Sequence, residues 1–175
     1  MRRRTHLLLG AAVGIPIAAL LSPALAIGGL WWGAVGGGFP DWLDLRSDFR
    51  RSLRLRHRGA SHGILVLILI SAVFGVGLLA LSGLQITAFG FDGTIPDQVV
   101  GPWTLCFVLG MFSHLASDAM THGGIRPLLP FHSVRIWLLP RFLRSSYDGY
   151  LDVVMWAASG VAIGIGVAMY VIGRM

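Results

Sequence analysis

The chain contains no lysine and no glutamate: its 14 basic side chains are all arginine and its eight acids all aspartate. A bias so complete reflects coding composition, and no chemistry is read from it. Cysteine is almost as scarce. Cys106 stands alone, which excludes an intramolecular disulfide and a cysteine-cluster metal site, and its apolar neighbours make it a packing residue. Charge is also sparse, at 13% of residues, against 55% hydrophobic residues and a mean hydropathy of +0.73. A soluble core built from 175 residues does not need that much apolar surface, so lipid is the natural solvent and the chain reads as one membrane domain, 1–175. The formal charge of +6 raises nucleic acid as a partner. The arginines, however, sit between apolar spans, where they orient helices and meet anionic head groups, so membrane lipid is the expected partner and nucleic acid is not.

Four blocks free of Arg and Asp are present: Leu7 to Phe39, Gly63 to Phe91, Gln98 to Ser117, and Val153 to Gly173. About 20 helical residues cross ~30 Å of hydrocarbon. The first block is too long for one crossing and short for two, and it carries Ser22-Pro23 near its middle. Proline favours a break there, which predicts a tight hairpin of helices over about 5–21 and 23–39. Further helices are expected over about 62–84, 101–122 and 152–173. The fold class is then all-α membrane protein, with about five short transmembrane helices, and 123–150 forms an interfacial segment mixing Arg with Phe131, Trp137 and Phe142.

Arginine placement selects this count, because cytoplasmic loops are enriched in basic residues. With two helices in the first block, Arg2 to Arg4, the loop from Arg46 to Arg58, and the segment carrying Arg126, Arg135, Arg141 and Arg144 share one side. Only Arg174 is misplaced, and the N-terminus is cytoplasmic. A secretory signal ending at Ala24-Leu25-Ala26 is the rival reading of the start. Cleavage there would leave Ile27 to Phe39, too few residues to span, so retention is expected. Small residues recur every fourth position, as in Gly29, Gly33 and Gly37, or Gly160, Gly164 and Ala168. The spacing lets helices approach closely in lipid and equally suits a homodimer face.

This topology places His6, Asp41, Asp44, His57, His62, His114, Asp118 and His122 at one depth on the cytoplasmic side. Ionisable groups at a membrane boundary are costly and are usually paired or functional. His114 and Asp118 are four apart, on neighbouring turns of one helix face, and His122 continues that face if the helix persists. A histidine nitrogen and a carboxylate oxygen so placed can bind a divalent ion such as zinc, although a hydrogen-bonded His-Asp pair fits the spacing too. His6 equally reads as a helix start. Asp44 can pair with Arg46 and Asp48 with Arg50 or Arg51. His132 reads as a surface residue, and Ser61 and Ser113 as helix-start or packing residues.

The pieces Thr5-His6-Leu7, Pro40-Asp41-Trp42-Leu43-Asp44, His57-Arg58-Gly59-Ala60-Ser61-His62 and His114-Leu115-Ala116-Ser117-Asp118, with Thr121, Gly124, Pro127 and Pro130-Phe131, occur in one order. That ordered set resembles the LexA-binding, inner-membrane-associated metal-dependent hydrolases of bacteria. The resemblance implies a small multispanning protein of the bacterial inner membrane with His6, Asp41, Asp44, His57, His62, His114 and Asp118 as its site. The His114-Asp118 spacing is also similar to a metal-ligand pair of zinc-dependent phospholipases C, which implies phosphoesters as substrates.

The expectation is therefore a hydrolase in which a divalent metal, zinc foremost, is held by His6, Asp41, His57, His62, His114 and Asp118 and activates water toward an ester or phosphoester. Asp44 is expected as a further ligand or general base, and Arg58 as the neutraliser of a phosphate. Two other classes use the same residues. One is an ion- or proton-binding transporter, which needs polar groups at mid-depth. The other is a scaffold that recruits a cytoplasmic regulator through the arginine-rich loops.

Overall fold

The computed structural model describes residues 1–45, 60–88 and 91–173. The chain is all-α, with five α-helices among the described residues: α1 (Arg3–Ala18), α2 (Pro23–Leu45), α3 (Ile64–Leu81), α4 (Val100–Ala119) and α5 (Tyr150–Ile172). The one sheet among the described residues is a two-stranded antiparallel ribbon, β1 (Gln85–Ala88) with β2 (Phe91–Thr94), which the hydropathy pattern did not resolve within the loop between α3 and α4. Short 3-10 turns at Ala60–His62, Asp97–Val99 and Arg141–Leu143 complete the order.

The first apolar block folds into a helical hairpin that turns between Ala19 and Ser22, with Pro23 opening α2, where its missing N–H costs nothing. The far end of α2 differs from the sequence reading. The helix passes through Pro40 and continues to Leu45 instead of stopping at Phe39. Proline removes the bond to the carbonyl four residues back, and neighbouring helices commonly re-satisfy such groups in membrane proteins. The carbonyl so freed is that of Gly36; the next one, of Gly37, accepts from His114 Nδ1 at 2.8 Å. The extra turn carries Asp41 toward the bundle.

α1, α2 and α4 form the packed heart of the molecule, α5 rests on α1, and α3 on α4. Glycines make that contact close. A methyl group at Gly37 would strike the His6 carbonyl, and one at Gly110 the Gly33 carbonyl. Lipid tails are as apolar as leucine, so this backbone-to-backbone packing, more than water exclusion, holds the three helices together. Phe107, Met111 and Leu115 of α4 fill the space beside it, with Phe39 and Phe74 against Phe107.

α3, α4 with its preceding turn, and α5 are long and apolar enough to cross a membrane. α1 has 16 residues, about 24 Å of helix, and α2 spreads its apolar residues among glycines and tryptophans. Residues 120–149 are largely irregular, tied by Ile125 pairing with Ile136 and Thr121 with Ser145. Phe131, Leu138 and Phe142 are exposed there, and Arg135 and Arg144 both lie over the Trp137 ring.

Candidate metal centre

α4 ends in the centre. His114 and Asp118, both buried, occupy successive turns of one face, and the His114 Nε2 to Asp118 Oδ2 separation is 3.8 Å. His62 comes from the 3-10 turn before α3, and its Nε2 lies 3.1 Å from His114 Nε2 and 3.8 Å from Asp118 Oδ2. Asp41 Oδ1, on the extra turn of α2, is 3.7 Å from His114 Nε2 and 3.9 Å from His62 Nε2. His6 of α1 stacks on the His114 ring, centroids 3.9 Å apart, and sets its Nε2 3.5 Å from Asp118 Oδ1. Met1 N is 3.2 Å from the same oxygen.

Five of the six separations among His62 Nε2, His114 Nε2, Asp41 Oδ1 and Asp118 Oδ2 run from 3.1 to 3.9 Å. Two trios drawn from this neighbourhood meet the geometry of a cation site: His6, His114 and Asp118, and Asp41, His62 and His114.

The other side of each ring is tied. His114 Nδ1 faces a carbonyl, which only accepts, so this nitrogen carries the hydrogen and donates to Gly37 O. Ser117 Oγ lies 2.9 Å from His114 O and 3.0 Å from His6 Nδ1, so it holds the outer nitrogen of the His6 ring. The Nε2 atoms of both rings turn inward. His62 Nδ1 has Ser61 Oγ at 3.1 Å. A partner on the second nitrogen, fixing tautomer and ring angle, is how metal-ligating histidines are usually held.

The structure thus brings together His6, Asp41, His62, His114 and Asp118 from four separate stretches. His57 and Arg58 lie outside the described residues, as does the side chain of Asp44, whose backbone closes α2. His122 does not continue the His114 face: α4 stops at Ala119 and His122 is exposed, as is His132. Sequence reasoning missed Ser117 and gave Ser61 a packing role. Their positions, three after His114 and immediately before His62, were the available signal. It also passed over Asp152, a buried carboxylate at the start of α5 that accepts from Arg2 N at 2.8 Å.

No curated protein and no solved structure matches this chain. One family does, over residues 1–174, and the chain belongs to it: the YdjM inner membrane proteins.

Proposed function

We propose that this inner membrane protein is a metal-dependent hydrolase acting on an ester or phosphoester at the cytoplasmic face. The observation that carries the reading is the convergence of two carboxylates and three imidazoles, those of His6, His62 and His114, in a largely buried space. The Met1 ammonium, 3.2 Å from Asp118 Oδ1, offsets one carboxylate, and a cation among the inward atoms would offset the other. Zinc, a common partner of mixed imidazole and carboxylate donors, would sit among His62, His114, Asp41 and Asp118, with His6 and His57 as further donors. When bound, the metal would supply a water made acidic enough to yield hydroxide near neutral pH.

The chain's own residues do the rest. Ser117 and Gly37 orient the rings, and burial of His114 and Asp118 excludes bulk water from one side. Among the described donors Asp41 is the most open, its side chain 21% exposed against 0–3% for His6, His62, His114 and Asp118, so substrate would approach along it. Asp44, three residues further along α2, is the proposed proton acceptor. Arg58 is proposed to neutralise a phosphate. In the reaction, the bond from phosphorus or acyl carbon to the leaving oxygen breaks and one to the water oxygen forms. The released alcohol and acid between them carry the two water protons.

Five crossings with a cytoplasmic N-terminus belong to this proposal, because they set α1 and α2 at the depth where their donors meet α4. A transporter would need ionisable groups along the other helices. α3 has none, and α5 has only Asp152 in its first turn. Metal analysis of the purified protein tests the reading. Wild type should carry about one equivalent of zinc, and His114→Ala combined with Asp118→Ala should remove it together with turnover of a chromogenic phosphodiester or ester. A wild type without stoichiometric metal, or a double variant that keeps it, would overturn the proposal.

A further inference from the structure

The seam between α1 and α2 has two sides, set one residue apart on both helices. His6, Gly37 and Asp41 face the metal centre. The residues that follow each of them, Leu7, Gly38 and Trp42, line a cavity of about 240 Å³ together with Arg3, Val35 and Phe39. Gly38 opens its floor, since a Cβ there would lie 2.7 Å from Leu7 Cδ2. The walls are aliphatic and aromatic, Trp42 is 40% exposed at the rim, and one cation closes the cytoplasmic end.

That cation is distinct from its neighbours. Arg2 is engaged with Asp148 and Asp152, each at 3.7 Å, and Arg4 lies over the Trp156 ring. Arg3 is exposed and has no acidic partner among the described residues. Arg3 precedes His6 by three residues, about 4.5 Å along the axis, and Trp42 follows Gly38 by four, about 6 Å, so both stand at the cytoplasmic rim of the cavity. Tryptophan favours the head-group level of a bilayer and a guanidinium matches phosphate oxygens in a two-pronged fit.

We propose that this cavity is a binding site for one anionic phospholipid, an acyl chain lying against Leu7, Val35, Gly38 and Phe39 and its phosphate on Arg3. An apolar slot capped by a guanidinium with no acidic partner among the described residues, in a protein of the inner membrane, complements a negatively charged head group on a hydrocarbon tail. The seated phosphate lies at the depth of Asp41, the open donor of the neighbouring centre. The lipid is thereby the substrate class for that centre, and only this second part rests on the hydrolase reading.

Purified full-length protein in mild detergent, mixed with phosphatidylglycerol or phosphatidylcholine, provides the test, with retained lipid counted by native mass spectrometry and zinc measured on the same samples. Wild type retains one phosphatidylglycerol in preference to phosphatidylcholine. Arg3→Gln and Gly38→Leu weaken retention about tenfold or more, and Arg3→Gln, at an exposed position, keeps wild-type zinc. Retention without preference for the anionic lipid, or unchanged in both variants, would overturn the site. Retention as expected in protein that holds no zinc would sustain the lipid site while removing the hydrolase reading and, with it, the substrate role.

Discussion

Ser117 Oγ bridges the His114 carbonyl and His6 Nδ1 and so fixes the His6 ring with its Nε2 toward the centre. Loss of such an outer partner typically costs 10–100-fold in metal affinity. Ser117→Ala should weaken zinc binding by about that factor in chelator competition, and Ser117→Thr, which keeps the hydroxyl, should restore most of it. Gly37 has a double role: its missing side chain admits the His6 backbone, and its carbonyl fixes His114. Gly37→Ala should lower stability by about 1–3 kcal/mol, read as a drop in the detergent melting temperature, and loosen zinc binding as well. At this scale the sequence announced donors better than their supports. His6, Asp41, His62, His114 and Asp118 are conspicuous because ionisable residues are rare in an apolar chain. Serine and glycine are ordinary there, and their roles depend on which backbone atom the fold brings opposite.

Among the elements, the hairpin of α1 and α2 was legible because Ser22-Pro23 interrupts an apolar block too long for one helix. The continuation of α2 past Pro40 was not, since a local rule about proline gave way to the packing of α2 on α1 and α4. The tie between α1 and α5 was equally hidden. Asp152 is buried and receives the backbone N–H of Arg2 at 2.8 Å, with the Arg2 guanidinium at 3.7 Å. Nothing in the spacing of residues 150 apart points to this pair. Asp152→Ala strands a backbone donor, which costs about 1–3 kcal/mol, and should appear as a lower melting temperature. Because Arg2 leads into α1, the same variant should also release zinc more readily, detectable as faster loss to a chelator.

At the scale of the whole molecule, arginine placement fits both five crossings and three, because the basic segments share one side whether the α1–α2 hairpin crosses twice or not at all. Among the described residues three helices meet the length and apolarity of a span. Five crossings hold if short helices rich in glycine cross where the packed heart of α1, α2 and α4 shields them from lipid. Ser22, exposed at the hairpin turn, separates the alternatives. In a Cys106→Ala background, Ser22→Cys should react with a membrane-impermeant maleimide added outside the inner membrane. Val134→Cys, on the exposed segment before α5, should react only once that membrane is opened. Labelling of both positions from the same side would mean that the hairpin does not cross. His6 and Asp41 would then reach Asp118 from a hairpin lying on the cytoplasmic surface, and the centre would open to the aqueous phase rather than to the lipid layer.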